Sequence, residues 1–284
     1  MPIMSRIAVV TDSTSSLSRA DAEREEISVV PLQVIIGAET YTEGVDVTAD
    51  MIAEALASFV PVSTSRPTPD DFLAVYERLA AEGAEAIVSV HLSAKMSGTL
   101  DSAILASKQA SVPVTCIDST QVGIGTGFAA GRAAAARDAG EDAIGVADAA
   151  RRAGESSTVL LYVDTLEYLK RGGRVGAAAA LIGSALAVKP ILTITDGLVV
   201  PLERVRTQAK ALGRLEALAV EKAGSCDNGF DIGVQHLASL PVATAVAERL
   251  AAALGIDAIG VDEVGASIGA HVGPGMISVT VTPR

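Results

Sequence analysis

The residues best placed to do chemistry are hydroxyls grouped around glycine, with a few cations. Ser97-Gly98-Thr99 follows the β-branched run Ala86 to Leu92 by a short polar turn, Ser93-Ala94-Lys95-Met96, and opens a helical stretch. A strand that turns into a helix in this way offers a capping hydroxyl and free backbone N–H groups at the positive end of the helix dipole, a seat for an anionic oxygen. Thr64-Ser65-Arg66-Pro67, Ser93, Arg171-Gly172-Gly173-Arg174, Arg204, Arg206 and His271 add further hydroxyls and positive charge. Such a set binds an anion without consuming it. Each member also has a plain structural role open to it: Ser65 and Ser97 as helix caps, Arg174 in a surface ion pair, His271 as a loop residue donating to backbone.

Other motifs exclude chemistries. Asp12-Ser13-Thr14-Ser15-Ser16 follows the first strand, where ligand groups of open α/β sheets gather. An aspartyl-phosphate enzyme needs a second carboxylate close behind Asp12, but Ser13 and Thr14 stand there, leaving a turn-and-cap role and a site-shaping role both open. Gly265-Ala266-Ser267-Ile268-Gly269 fits Gly-x-Ser-x-Gly, but a nucleophile elbow needs a helix directly after the serine and an acid later in the chain. Gly273-Pro274-Gly275 follows, and no Asp or Glu lies beyond Glu263, so the elbow is rejected. Gly125-Thr126-Gly127-Phe128-Ala129-Ala130 stands too far from its strand for a dinucleotide fingerprint and reads as helix packing. There is no P-loop, and His91, His236 and His271 lack metal-ligand spacing.

Composition narrows the class. A length of 284 residues holds two modest α/β domains, and 49% apolar residues supply a core. A net charge of −12 argues against a nucleic-acid partner, as does the lack of Trp with only four Phe and four Tyr to stack on bases. Cys116 and Cys226 sit in unrelated surroundings, and two unpaired thiols fit a reducing, cytoplasmic setting. The start, Met1 to Arg6, lacks the layout of a signal peptide. The longest apolar helical stretch, Ala177 to Val188, is shorter than the ~20 residues of a bilayer span and reads as a buried or groove-lining helix.

The elements that must position these groups alternate as β and α, the pattern of parallel strands with crossover helices. Strands are expected at Ile7 to Thr11, Ser28 to Ile36, Ala86 to Leu92 and Val112 to Asp118. Helices are expected near Ala49 to Ser58, Pro69 to Glu82, Thr99 to Gln109, Gly125 to Asp138 and after Gly140-Glu141-Asp142. From Ser157 the pattern changes: Asp196-Gly197 between two strands is a hairpin signal. A helix over Gln208 to Ala223, a strand over Phe230 to His236, a helix over Val242 to Leu254 and strands near Ile256 to Val261 and Met276 to Val281 follow. The expected organisation is an N-terminal parallel-sheet α/β domain over 1–156 and a C-terminal α/β domain with a mixed or antiparallel sheet over 157–284.

Seven segments in order resemble the DegV family of bacterial fatty-acid-binding proteins. They are Val10-Thr11-Asp12-Ser13-Thr14, Thr64 to Pro69, His91 to Thr99, Asp118-Ser119, Leu166 to Arg174, Lys189-Pro190-Ile191-Leu192 and Gly269 to Gly275. The resemblance implies a two-domain α/β fold enclosing one long-chain fatty acid in a tunnel between the domains, and a carrier rather than an enzyme, with no cofactor. It implies that Thr64, Ser65, Ser97 and the backbone at Gly98 hold the carboxylate. It further implies an ATP-dependent fatty acid kinase as partner, phosphorylating that carboxylate for phospholipid synthesis, with Arg174, Arg206 and His271 assisting phosphoryl transfer or docking. Lipid exchange by such a carrier is compatible with transient contact with a membrane surface.

One position departs from the family: Arg66 stands where Gln is common. A guanidinium there has two options, pairing with the ligand head group or facing solvent. The competing readings are an enzyme acting on a small phosphorylated or carboxylated metabolite through Asp12, Arg174 and His271, and a structural module in which the hydroxyls only cap helices.

Overall fold

The computed structural model describes residues 6–181 and 189–284. The chain opens with β1 (Ile7–Asp12), α1 (Arg19–Arg24), β2 (Ile27–Val30), β3 (Gln33–Ile36), β4 (Glu39–Thr42), α2 (Ala49–Ala57) and β5 (Val62–Ser65). There follow α3 (Pro69–Ala81), β6 (Ala86–His91), α4 (Thr99–Ser107), β7 (Val114–Asp118), α5 (Ile124–Asp138) and α6 (Ala143–Ser156). The remainder comprises β8 (Thr158–Tyr162), α7 (Glu167–Arg171), β9 (Lys189–Thr195), β10 (Leu198–Val205), α8 (Gln208–Gly224), β11 (Phe230–His236), α9 (Leu240–Leu254), β12 (Gly260–Glu263), α10 (Ala266–Val272) and β13 (Ile277–Pro283).

Two compact units emerge: residues 1–33 with 65–156, and residues 34–64 with 157–284. In the first, a four-stranded sheet of order β2-β1-β6-β7 is parallel throughout. Its central strands are buried on both faces, as parallel strands between helical layers must be, which is why they read as continuous β-branched runs. One face packs Val9, Val88, Val90 and Ile117 against a layer of alanines from α5 and α6, whose small side chains let the helices lie close. The other face packs Val10, Val30 and Ile87 against Phe72 and Tyr76 of α3 and Ala103 and Ala106 of α4. α3 starts at a full capping box, Thr68 and Asp71 each accepting from the other's backbone, with Pro69 at its first position.

The second unit holds a six-stranded sheet, β10-β9-β8-β13-β11-β12, antiparallel except for the β11–β12 pair. The turn joining β9 and β10 places Asp196 at φ 49° and Gly197 at φ 73°, the paired left-handed geometry that an Asp-Gly hairpin selects. Leu212, Leu215, Ala219, Val246 and Leu250 of α8 and α9 cover this sheet. β4, β3 and β5 form a separate small sheet.

The division into units differs from the expected one at 34–64, which packs with the second unit. Val34, Val47, Ile52 and Leu56 share a core with Ala266 and Ala270 of α10. The Glu43 carboxylate, buried, accepts from the Ser267 backbone N–H at 2.8 Å and from its hydroxyl at 2.6 Å. The single strand expected over Ser28 to Ile36 is broken at Pro31, which has no N–H to give, and its halves join different sheets. The strand expected from Ile256 starts at Gly260, because α9 ends only at Leu254 with Gly255 left-handed behind it. Of the helix expected over Ala177 to Val188, Gly176–Leu181 is a 3-10 turn and 182–188 lie outside the described residues, as do the first five residues of the chain.

Removal of the Glu43 carboxylate leaves two donors of Ser267 unpaired in the interior. Glu43→Ala is therefore expected to lower unfolding stability by about 2–3 kcal/mol in urea titration; a change below about 0.5 kcal/mol would show that the contact does not hold α10.

Candidate functional site

In the first unit the chain passes from β1 to β2 on one side and from β6 to β7 on the other. The strand order therefore reverses between the parallel neighbours β1 and β6, and the region beyond their carboxyl ends is where an open α/β sheet takes a ligand. The two loops that leave those ends are Ser13 to Ser16 and Leu92 to Gly98.

A buried chain of hydrogen bonds fixes both loops. Asp12, with no exposure, caps the 3-10 turn Ser13–Ser15 by accepting from the Thr14 N–H at 3.0 Å and the Thr14 hydroxyl at 2.5 Å. Its other oxygen lies 2.9 Å from His91 Nδ1 and accepts from the Leu92 N–H at 3.3 Å. His91 Nε2 meets Ser89 Oγ at 2.7 Å, and the Tyr76 hydroxyl donates to that same Oγ at 2.9 Å. A neutral His91 protonated at Nδ1 satisfies every member in sequence, Tyr76 to Ser89 to His91 to Asp12. Burial pushes the Tyr76 phenol up, so it stays a donor. Asp12, given as a candidate catalyst in the enzyme reading, is thus enclosed and occupied by donors.

The Ser97 hydroxyl accepts from the Thr99 N–H at 3.3 Å and contacts the Thr99 hydroxyl at 2.9 Å, at the start of α4. Ser97 itself is held by its own N–H on the Ser93 carbonyl at 3.1 Å. Gly98, the N-cap of α4, has no side chain to close the helix end. The Arg66 side chain is half exposed and also has a partner within the protein. Its Nη1 donates to the Gly98 carbonyl at 2.9 Å and lies 3.8 Å from Asp101 Oδ2. A Cβ at residue 98 would fall 1.9 Å from that nitrogen, so only glycine admits the guanidinium. The Gly98 carbonyl accepts from the Ser102 N–H as well, and the buried Ser102 hydroxyl is left without a partner.

In the second unit, His271 in the last turn of α10 places Nε2 2.9 Å from the Thr64 hydroxyl, while the buried Nδ1 has no hydrogen-bond partner. The ring lies directly on Gly172, where a Cβ would stand 2.0 Å from Nδ1. Arg174 donates to the Gly172 carbonyl at 2.5 Å. Burial first, and the charge of Arg174 second, push the imidazole down to about 4, so it is neutral at physiological pH.

The candidate residues thus fall into two groups. Ser65, Arg66, Ser97 and Gly98 belong to the first unit and Thr64, Arg174 and His271 to the second. Arg206, in the second unit, is exposed, with no ion pair among the described residues. Ser65 is exposed, its hydroxyl directed to the Arg66 carbonyl at 3.4 Å. Three features had no reading at the level of sequence: the Tyr76-Ser89-His91-Asp12 chain, the Glu43–Ser267 contact and the unpartnered Ser102. Alternation along β6 was the one available signal, since Ser89 and His91 share a face two residues apart.

Contrary to the expectation from Gly273-Pro274-Gly275, the Gly-x-Ser-x-Gly segment does carry a helix. That helix, α10, includes Ser267; the elbow fails because Ser267 is buried, is bound to Glu43, and lacks the left-handed strain of a nucleophile turn. Gly127 does pack: a Cβ there would lie 2.6 Å from the Ser15 carbonyl. Among the described residues no group of three or more His, Cys, Asp or Glu is arranged to hold a metal ion, and no helix is long and apolar enough to cross a membrane.

A model of the DegV family, described as one of uncharacterised proteins, matches residues 6–284. The chain belongs to the DegV family. A DegV domain-containing protein of Streptomyces coelicolor is 46% identical, with 99% of this chain and all of the relative covered. Two solved DegV structures match from end to end. One, from Thermus thermophilus and described by its fatty acid binding, has a TM-score of 0.92 at 33% identity over 98% of this chain and 100% of its own. The other, from Bacillus subtilis and described as a fatty acid binding protein, has a TM-score of 0.90 at 31% identity over 99% and 100%. The two-unit fold with its parallel and mixed sheets is the DegV fold.

The enclosed His271 gives a pH signature. An unfolded imidazole takes its proton near 6.5 and the folded one only near 4. Between those values the unfolded chain binds the extra proton, so stability contributed at neutral pH is lost as pH falls through this window and no further below it. The carbon-13 signal of the His271 ring is expected to titrate near 4; a midpoint near 6.5 would contradict the enclosure. His236 is also held below its ordinary value by burial, so the residue-specific signal, not the bulk stability curve, is decisive.

Proposed function

We propose that this chain binds one long-chain fatty acid and acts as its carrier, presenting the carboxylate to an ATP-dependent kinase rather than transforming it. End-to-end likeness to two DegV structures described by fatty acid binding, each above 30% identity, carries the reading. The Thr64 and Ser65 hydroxyls, the Ser97 hydroxyl and the Gly98 backbone are the proposed holders of the carboxylate. Hydroxyls and helix N–H groups suit that role, since they stabilise a carboxylate without locking it into a close salt bridge. Burial of an acyl chain of ~16 carbons at about 0.8 kcal/mol per methylene supplies on the order of 12 kcal/mol before ordering and desolvation are subtracted.

Presentation to a kinase asks for a carboxylate that stays nucleophilic and for positive charge to meet the incoming phosphoryl group. Arg174 and His271, joined through Gly172, are the proposed neighbours of the reacting end. Exposed Arg206 suits docking of the partner. The acyl phosphate so formed would feed phospholipid synthesis. A neutral His271 is suited to accept or relay a hydrogen bond from Thr64, not to add charge.

Titration of the delipidated protein with palmitate tests the reading. Ser97→Ala is expected to weaken binding by about 10-fold to 100-fold, the worth of a hydrogen bond to a charged group, while changing unfolding stability by only about 1 kcal/mol. Unchanged affinity would remove Ser97 from the carboxylate site, and a wild-type protein that takes up no palmitate would overturn the carrier.

A further inference from the structure

We infer that Arg66 sets the charge state of the bound carboxyl group, holding it as carboxylate. The inference rests on the fatty-acid reading and adds a residue to it. The Arg66 side chain crosses from the loop after β5 to the first turn of α4, where Nη1 donates to the Gly98 carbonyl at 2.9 Å. Gly98 is flanked by Ser97, whose hydroxyl faces Thr99 at 2.9 Å. A fixed positive charge is thereby seated on the residue whose backbone is the proposed carboxylate donor.

The seat is built. Gly98 alone permits it, because a Cβ would lie 1.9 Å from Nη1. The carbonyl that Arg66 uses is shared with the Ser102 N–H, which leaves the Ser102 hydroxyl, buried at 1% exposure, without the carbonyl a helical serine ordinarily bonds. The Arg66 guanidinium makes no other hydrogen bond among the described residues, so its remaining N–H groups are free for an anion.

Charges around the guanidinium are few. Asp101, on α4, is the only acidic side chain within ion-pair distance among the described residues, at 3.8 Å and 72% exposed, so water weakens its hold. On α3, Asp71 is committed to Thr68 in the capping box and Asp70 is exposed; Lys95, in the loop between β6 and α4, is exposed as well. A positive charge close to a carboxyl favours its ionised form and lowers its pKa. Because Arg66 is itself half exposed, the expected shift is about one pH unit, and salt should reduce it.

Palmitate labelled with carbon-13 at the carboxyl reports that ionisation directly when bound to the full-length protein. Compared with wild type, Arg66→Gln is expected to raise the carboxyl midpoint by about one unit, Arg66→Lys to keep it within a few tenths, and Asp101→Asn to lower it. A role confined to tethering the loop would not move the midpoint with charge. Equal midpoints in wild type and Arg66→Gln, each with palmitate bound, would overturn the inference and leave the carrier standing. Failure of the wild type to bind labelled palmitate would overturn the carrier, and the inference with it.

Discussion

A carboxylate with no access to water, Asp12, ties the ends of the two central strands of the first unit. It caps the turn after β1 through Thr14 and meets His91 and the Leu92 N–H at the end of β6. An unpaired buried carboxylate would cost several kcal/mol, so the contact is made or the local fold fails. The hydroxyl chain through Ser89 to Tyr76 carries the same constraint into the layer of α3. With both strand ends fixed, the loop from Leu92 leads to Ser97 and Gly98 in a defined conformation, and Arg66 is set on the one residue that has no side chain to exclude it.

The second unit uses an equivalent device at α10. The segment 34–64 grips that short helix at both ends: Glu43 accepts from Ser267 in its first turn, and Thr64 meets His271 in its last. An apolar cluster of Val34, Ile52 and Leu56 with Ala266 and Ala270 packs alongside those polar contacts. His271 is consequently held neutral on Gly172 beside Arg174, a group that can join a hydrogen-bond chain but does not carry charge at physiological pH.

What sequence made legible was local. The Asp196-Gly197 hairpin, the helix opening at Pro69, and the β-branched runs of β1 and β6 follow from turn chemistry and from burial on both faces. Pro31 lies inside the strand expected over Ser28 to Ile36, and its missing N–H is the local reason that strand is broken. The buried partners were not legible, because Asp12 meets His91 across 79 positions and Glu43 meets Ser267 across 224. No periodicity reports such a pairing. For the same reason the segment 34–64 read as part of the first domain, and the Gly98 carbonyl, 32 positions away, was not among the partners foreseen for Arg66. The candidate site residues were recognisable as a set only through resemblance to relatives, since each hydroxyl alone is an adequate helix cap.

The carrier is tested most directly by what the purified protein already holds. Gentle denaturation, extraction and mass spectrometry are expected to release a long-chain fatty acid at close to one molecule per chain, from protein never exposed to added lipid. Release of buffer components alone, or of a small polar metabolite in the same ratio, would contradict it.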